Sequence, residues 1–208
     1  MGFVHRLILI AGVLVCMALV AGCVPEDRYD LPQTVETVLS QERLGEMDDM
    51  GLTVYDGHTP SDISGTYAWN DTTWVVAPRQ ENVGRSSCSG HLTLERGRTT
   101  AYDYQRQYDG QECVGGGSGT NIPMSGDGGC FSLFLRTTET VSGCRSNQVE
   151  VISGCLGEDG IEDFESGWFV DAYQSDACQS LVDEGQMPPQ DQIVIEREGD
   201  GLAERQPQ

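Results

Sequence analysis

The sequence predicts an all-β fold, either an antiparallel β-barrel or a β-sandwich, with one short N-terminal helix and disulfide staples. Short segments in which apolar and polar residues alternate run through most of the chain, with turn residues between them. Helical periodicity is almost absent, and the even number of cysteines after residue 87 suits cross-linking. Eight or nine short strands favour an antiparallel architecture. Their regular alternation favours a closed meander, because closure removes sheet edges.

The N-terminal residues 1–22 indicate an export signal. A short segment carrying Arg6 precedes an apolar run, Leu7 to Val20, that is too short to cross a bilayer as a stable helix. The run ends in Val20-Ala21-Gly22-Cys23, which resembles the lipobox of bacterial lipoproteins. The resemblance implies that the signal is cut before Cys23, which then carries the lipid that anchors the protein. It also implies the outer membrane of the cell envelope, because Val24 stands where an aspartate would favour the inner membrane.

The charge of the chain is strongly acidic. The sequence has 33 acidic and 12 basic side chains, and every basic one is arginine. Such a surface repels phosphate backbones and anionic lipid headgroups. We therefore expect no nucleic-acid partner, and membrane attachment through the N-terminal lipid. The even spread of the acids favours a role in solubility over a cation site, and we expect no cofactor and no metal.

Six cysteines remain when Cys16 leaves with the signal and Cys23 takes the lipid. They are Cys88, Cys113, Cys130, Cys144, Cys155 and Cys178. An even number in an exported chain predicts three disulfides, and the absence of any C-x-x-C motif disfavours a metal site. A hairpin turning at Ser142-Gly143 would set Cys130 opposite Cys155. Nearest-neighbour pairing would instead give Cys88–Cys113, Cys130–Cys144 and Cys155–Cys178.

Residues 23–50 are predicted to form a lipid-anchored tether that includes the short helix. The stretch from Val24 to Ser40 contains prolines and acids without an apolar period. Ser40 can cap a helix over Gln41 to Met50, and Gly51 can end it.

The β domain is predicted over residues 51–200, followed by a polar C-terminal tail over residues 201–208. Two segments within the domain are predicted to be loops, the glycine-rich stretch 113–129 and the acidic stretch 158–165. The predicted strands centre on Leu52–Tyr55, Ile63–Trp69, Trp74–Ala77, His91–Glu95, Tyr102–Tyr108, Phe131–Arg136, Val149–Ile152, Gly167–Tyr173 and Ile193–Ile195.

The opening of the β domain resembles the lipocalin-like lipoproteins of Gram-negative bacteria. Those proteins begin with a tether, a short helix and a first strand that carries a G-x-[WY] motif. Gly65-Thr66-Tyr67 occupies that place here. The resemblance implies a closed meander that encloses a ligand cavity.

Six aromatic side chains would either fill the core or line the mouth of a barrel: Trp69, Trp74, Tyr102, Tyr104, Tyr108 and Trp168. At the mouth they would contact a small apolar or glycan ligand, and the predicted contacts are Trp69, Tyr102, Tyr104 and Trp168.

The sequence contains little that is typical of a catalytic site. His58 and His91 are expected at the surface, and no G-x-S-x-G motif is present. The acids Glu158, Asp159, Glu162, Asp163 and Glu165 could supply a carboxylate pair or calcium ligands, but a solvated loop is the expected interpretation.

The expected protein is a lipid-anchored envelope lipoprotein without enzymatic activity, whose β domain binds a small molecule or another envelope component. Two alternatives stay open: a carboxylate- or calcium-dependent hydrolase acting outside the cytoplasm, and a purely structural or surface-display module. A cavity lined by apolar side chains would favour the first interpretation, whereas two carboxyl groups converging in a cleft would favour the hydrolase.

Overall fold

Twelve strands and three short helices make up the described part of the chain. The computed structural model describes residues 27–70, 72–97, 101–109 and 113–207, so the predicted signal and Cys23 lie outside it. The helices are α1 (Gln33–Glu36), α2 (Gln41–Asp49) and α3 (Ala177–Asp183), and a 3₁₀ turn covers Gln80–Asn82. The strands are β1 (His58–Pro60), β2 (Gly65–Trp69), β3 (Thr73–Val76), β4 (Ser89–Arg96), β5 (Tyr102–Asp109), β6 (Gly115–Ile122), β7 (Met124–Gly128), β8 (Cys130–Val141), β9 (Cys144–Leu156), β10 (Gly160–Tyr173), β11 (Val194–Arg197) and β12 (Leu202–Arg205).

Eight of these strands close an antiparallel barrel, which confirms the barrel form of the predicted fold. Around the ring the order is β8-β6-β5-β4-β2-β12-β10-β9, and β9 pairs back to β8. Closure is made by the C-terminal β12, which pairs with β2 on one side and with β10 on the other. The ring therefore has no free edge of its own.

Two strands of the barrel are long enough to pair with two other strands, one after the other, along the same side. β8 pairs with β7 near its start and with β6 near its end, and β7 carries the parallel β1. β10 pairs with β12 near its start and then with β11, which carries β3. This arrangement places β3 and β11 beside the part of β10 that contains Trp168.

The interior of the barrel is filled by residues that alternate along its strands. Inward positions on β2, β4, β5, β8, β9 and β10 are apolar or aromatic at one end of the barrel, and this end is closed. The buried members of this core include Tyr67, Leu92, Leu94, Tyr102, Phe131, Leu133, Leu135, Ile152 and Ile161. The polar inward positions lie toward the other end, where β9 begins.

The predicted helix is confirmed as α2, and it packs against the barrel. The Ser40 hydroxyl accepts the backbone N–H of Arg43, and Gly51 follows the helix with a φ of 107°. Leu44 and Met47 are buried against outward-facing residues of β8, β9 and β10, such as Phe134. No helix within the described ranges is both long and apolar enough to span a membrane.

The tether prediction is wrong for the residues immediately before α2. Tyr29, Val35 and Leu39 are buried in the same outer cluster, and the Tyr29 hydroxyl donates to Asp48 at 2.6 Å. Their spacing shows no helical or strand period because each comes from a separate turn or short helix. The folded domain therefore begins near residue 29.

The glycine-rich segment predicted as a loop contains two strands, β6 and β7. Pairing with β5 and β8 runs through Gly115, Gly116 and Gly117. A Cβ on Gly115 would lie 1.7 Å from the Thr140 carbonyl oxygen, and one on Gly117 would lie 2.6 Å from Glu139 Cγ. Glycine is therefore required by the close approach of neighbouring strands, a role that alternation cannot reveal.

Most of the acidic segment predicted as a loop, from Gly160 onward, is the first half of β10, and the predicted C-terminal tail contains β12. Ile161 and Phe164 are buried inside the barrel, but a bulge between Glu162 and Glu165 disturbs the two-residue period. In β12, Ala203 is fully buried between β2 and β10.

The predicted strand at Leu52–Tyr55 is absent, although this segment is ordered. Its backbone bonds to side chains: the Thr53 N–H donates to Glu165 at 2.5 Å and the Tyr55 N–H donates to Ser132 Oγ at 2.9 Å. These bonds satisfy the segment without a neighbouring strand.

All six predicted disulfide cysteines are paired. Cys130 lies directly opposite Cys155 on the β8–β9 hairpin and is bonded to it, as the turn at Ser142-Gly143 predicted. The other bonds are Cys88–Cys113 and Cys144–Cys178. Nearest-neighbour pairing is therefore right for Cys88–Cys113 and wrong for the other four cysteines, because Cys144 follows the turn and faces α3.

Candidate functional site

A cavity of about 540 Å³ opens at the end of the barrel where β9 begins. We call it the mouth cavity. All three tryptophans of the chain line it: Trp69 on β2, Trp74 on β3 and Trp168 on β10. Tyr108, Phe164 and Met187 add further apolar surface, and the segment from Leu181 to Met187 forms part of the wall. Its volume lies within the range of small-molecule sites, about 300–1,000 Å³.

Polar side chains from three strands meet inside the barrel beside this cavity. Strand register explains their meeting. Gly117 on β6 pairs with Arg106 on β5 and with Glu139 on β8, so the two long side chains flank a residue that has no side chain. Glu150 on β9 pairs with Leu135 and Trp168, which places it at the same end of the barrel. Glycine in β6 is thus what leaves room for Glu139.

A hydrogen-bonded network joins Tyr104, Arg106, Tyr108, Glu139 and Glu150, which we call the Arg106 cluster. The Arg106 guanidinium donates to Glu150 at 2.7 Å and to the Tyr108 hydroxyl at 3.1 Å, and it lies 3.6 Å from Glu139. The hydroxyls of Tyr104 and Tyr108 both donate to Glu139. The side chains of Arg106, Glu139 and Glu150 are 8%, 0% and 1% exposed, so water screens these charges very little.

Aromatic rings surround the guanidinium on several sides. Its central carbon lies 5.6 Å from the ring centroid of Trp69, 5.4 Å from that of Tyr104 and 5.7 Å from that of Tyr108. These distances suit cation–π attraction, which strengthens when water is excluded. The mouth cavity therefore lies beside a cation held by aromatic faces and carboxylates.

Burial shifts the protonation of Glu150. Loss of water raises its pKa to about 7, a shift that the charge of Arg106 opposes and the charge of Glu139 reinforces. One of its oxygens, Oε2, has no hydrogen-bond partner among the described residues, and the same holds for Arg106 Nε. Glu150 thus contributes a buried acceptor, incompletely satisfied, to the wall of the cavity.

Glu196 on β11 is a second carboxyl group facing the cavity. Its Oε1 accepts the indole N–H of Trp74 at 2.8 Å and lies 3.4 Å from the indole nitrogen of Trp168. Burial raises the pKa of Glu196, and hydrogen bonds from Ser87 and the two indoles partly offset this effect. The carboxyl group therefore fixes the orientation of two of the three tryptophans.

The sequence predicted part of this site. Trp69, Trp74, Tyr108 and Trp168 line the mouth cavity, whereas Tyr104 lies behind it in the Arg106 cluster. Tyr102 lies at the closed end of the barrel, where its hydroxyl accepts the Ile63 N–H and donates to Asp62, so it does not line the cavity.

Sequence reasoning missed Arg106, Glu150 and Glu196 as residues of this site. Glu150 lies between two valines, Val149 and Val151, and this pattern suggested an exposed face for the acid. In the structure the valines face outward beneath α2, and Glu150 faces the barrel interior. In the sequence, Arg106 shares one face of its predicted strand with three tyrosines. This pattern could have indicated that the arginine faces the barrel interior.

The acids predicted as alternative catalytic or calcium residues lie elsewhere. Among the described residues, none of the acids at positions 158–165 lines the mouth cavity. Glu165 faces outward and binds Arg197 at 2.7 Å. His58 and His91 are about half exposed and pair with Asp30 and Asp109. Within the described ranges, no group of three or more His, Cys, Asp or Glu side chains is placed to hold a metal ion.

Comparison of the chain with protein-family models, with curated proteins and with solved structures found no match.

Proposed function

We propose that this protein is a lipid-anchored envelope protein whose barrel binds a small molecule in the mouth cavity. The observation that carries the proposal is the cavity itself, which gathers every tryptophan of the chain at the open end of a barrel whose other end is filled. The wall is mixed, because polar side chains such as Ser87, Gln148 and Glu150 lie among the aromatic rings. A concave site of this size that contains several aromatic side chains is typical of small-molecule binding, and it favours a binding protein over a structural module.

The anchor is supported by the sequence pattern around Cys23. Among the described residues, the first buried side chain after it is Tyr29, and five positions, residues 24–28, lie between the proposed lipid and Tyr29. Five residues span at most about 20 Å. The proposed protein is thus held close to the membrane surface, with its lipid and not its acidic surface making the attachment.

Replacing Cys23 with alanine is expected to move the protein from the membrane fraction to the soluble fraction. The change removes the thiol that carries the lipid, and the apolar run Leu7–Val20 is too short to cross a bilayer as a stable helix. Fractionation of cells that express the full chain measures the outcome. The matched control is Cys16→Ala, which alters the signal without touching the lipid site and should stay with the membrane. Membrane retention of both variants would contradict the anchor.

The binding proposal is tested by native mass spectrometry of residues 24–208 prepared in an oxidising compartment. We expect a non-covalent adduct that leaves on unfolding. Tryptophan emission should also change when the adduct leaves, because all three tryptophans line the cavity. A bare mass, with emission unchanged across a panel of small molecules, would contradict binding and favour a structural or protein-binding module.

A carboxylate-dependent hydrolase is the second candidate. It is supported by Glu150 and Glu196, two carboxyl groups with raised pKa that face one aromatic cavity. Release of nitrophenol from aryl glycosides, lost in Glu150→Gln but retained in Glu95→Gln, would establish this activity. Binding without turnover would establish the carrier.

A further inference from the structure

We infer that the mouth cavity binds an organic cation, a protonated amine carried on an apolar body. This inference rests on the small-molecule binding proposed above and names the class of ligand.

The first support is the charge on the cavity wall. Among the described lining residues the ionisable side chains are four carboxyl groups and two arginines: Asp109, Glu150, Glu184, Glu196, Arg85 and Arg106. Arg106 is already shared between Glu139 and Glu150. The hydrogen-bond donors that Glu196 receives, from Ser87, Trp74 and Trp168, are neutral. The charge of Arg106 also reaches Glu196, and Asp109 pairs with His91, so the compensation is partial. Because the carboxyl groups still outnumber the arginines on the wall, a cation in the cavity would be attracted and an anion would be repelled.

The second support is an acceptor without a partner. Glu150 is 1% exposed, lines the cavity, and has one carboxylate oxygen that no described residue contacts as a donor. A buried acceptor of this kind costs free energy unless a donor reaches it. An ammonium group carries donors and no acceptor, so it satisfies the oxygen and the local charge together.

The third support is the aromatic wall. Trp69, Tyr104 and Tyr108 already surround the protein's own guanidinium. Trp74 and Trp168 are half-buried beside Glu196 and hold no such cation among the described residues. Indole rings bind organic cations through their faces but offer no lone pair to a hard metal ion, which requires several oxygens. This chemistry selects an organic cation over calcium or magnesium.

The experiment compares three probes of similar size: 2-phenylethylammonium, 2-phenylethanol and 3-phenylpropanoate. Tryptophan emission and calorimetry on residues 24–208 give the affinities. We expect the ammonium to bind about tenfold or more tightly than the alcohol, and the carboxylate to bind most weakly. Equal binding of ammonium and alcohol, or preference for the carboxylate, would overturn the inference.

Two variants locate the binding. Glu196→Gln keeps an acceptor for the indole N–H groups, so it should reduce ammonium affinity about tenfold and leave the alcohol unchanged. Glu95→Gln, an exposed change on β4, is the matched control and should alter neither. If Glu196→Gln fails to fold, Trp74→Leu on β3, outside the closed ring, replaces it, and Trp74→Phe should retain binding. Unchanged ammonium affinity in the folded variants would overturn the inference.

Affinity should also depend on pH. Glu150 faces Arg106, Tyr104 and Tyr108 on β5, Glu139 on β8 and Glu196 on β11. Its raised pKa, about 7, means that it gains a proton as the pH falls from about 8 to about 5.5, while the ammonium stays charged. Ammonium binding should therefore weaken several-fold at the lower pH, and alcohol binding should not.

These outcomes are distinguishable from failure of the proposed function. If none of the three probes binds, the organic-cation inference is overturned. An adduct in the native mass spectrum would still support the proposed binding function. If no probe binds and no adduct appears, both the organic-cation inference and the proposed binding function are overturned.

Discussion

Replacing Arg106 with leucine is expected to lower the free energy of unfolding by about 3–5 kcal/mol. Arg106 lies between Glu139 and Glu150, and all three side chains are less than a tenth exposed. Leucine would leave two buried carboxylates without their cation, and this uncompensated charge is the dominant cost. Urea unfolding followed by tryptophan emission measures the change.

The matched control is Arg96→Leu on β4. Arg96 forms an ion pair with Asp62 at 3.4 Å, but both side chains are about half exposed, so the expected loss is below about 1 kcal/mol. The loss in Arg106→Leu should shrink as the pH is lowered toward about 5.5, because the remaining carboxyl groups can take up protons instead of staying charged. Equal losses in the two variants would contradict the buried ion cluster.

A triple variant separates stability from binding. Arg106→Met, Glu139→Leu and Glu150→Leu together replace the charges with apolar side chains of similar length. Such a replacement is often neutral or stabilising, but it leaves the hydroxyls of Tyr104 and Tyr108 without their acceptor, so we expect only part of the lost stability to return. We expect ammonium affinity to fall, because the variant lacks the Glu150 carboxyl group. The buried charges would then serve the cavity and not only the fold.

The strands that alternation predicted are those in which only one residue in two faces the barrel interior. β4 and β5 follow this pattern, and so does β8 through Phe131, Leu133 and Leu135. The same period identified the turn at Ser142-Gly143, and with it the Cys130–Cys155 bond. Local turn chemistry and strand period were sufficient in these places because the neighbouring strand is also the neighbour in sequence.

The missed strands either lack a regular alternation of polar and apolar residues or pair with a strand that is distant in sequence. β6 is a strand because β5 and β8 approach it closely, which excludes side chains and so removes the alternating signal. The first half of β10 contains a bulge beside Asp163, whose φ is 52°. β12 pairs with β2 across most of the chain.

The candidate site was harder to predict than the fold for a related reason. Glu150 lies in a strand that is buried on both faces, because α2 and Leu52 cover the outside of the barrel. In such a strand the alternation of polar and apolar residues no longer distinguishes an exposed face from a buried one. The sequence pattern therefore gives Glu150 the appearance of a solvent-facing residue. Glu196 and Trp74 reach the cavity only because β11 and β3 extend the sheet beside β10.

The second large effect concerns the Cys144–Cys178 bond, which joins the start of β9 to α3. Replacing both cysteines with alanine should lower the free energy of unfolding by about 3–4 kcal/mol, because the bond closes a loop with a sequence separation of 34. Both sulfurs lie in a buried cluster with Val170 and Met187. Leu181 and Met187 also line the mouth cavity, so α3 and the segment after it should become mobile at the cavity wall.

The matched control is Cys130→Ala with Cys155→Ala. That bond has a separation of 25 and lies at the closed end of the barrel, away from the cavity. The two double variants should lose similar stability, by denaturant unfolding, but only the Cys144–Cys178 variant should lose affinity for 2-phenylethylammonium. Equal affinity in both folded variants would show that the wall formed by α3 does not contact the ligand. Loss of affinity in both variants would mean that the shape of the cavity depends on the whole barrel and not on the disulfide that holds α3.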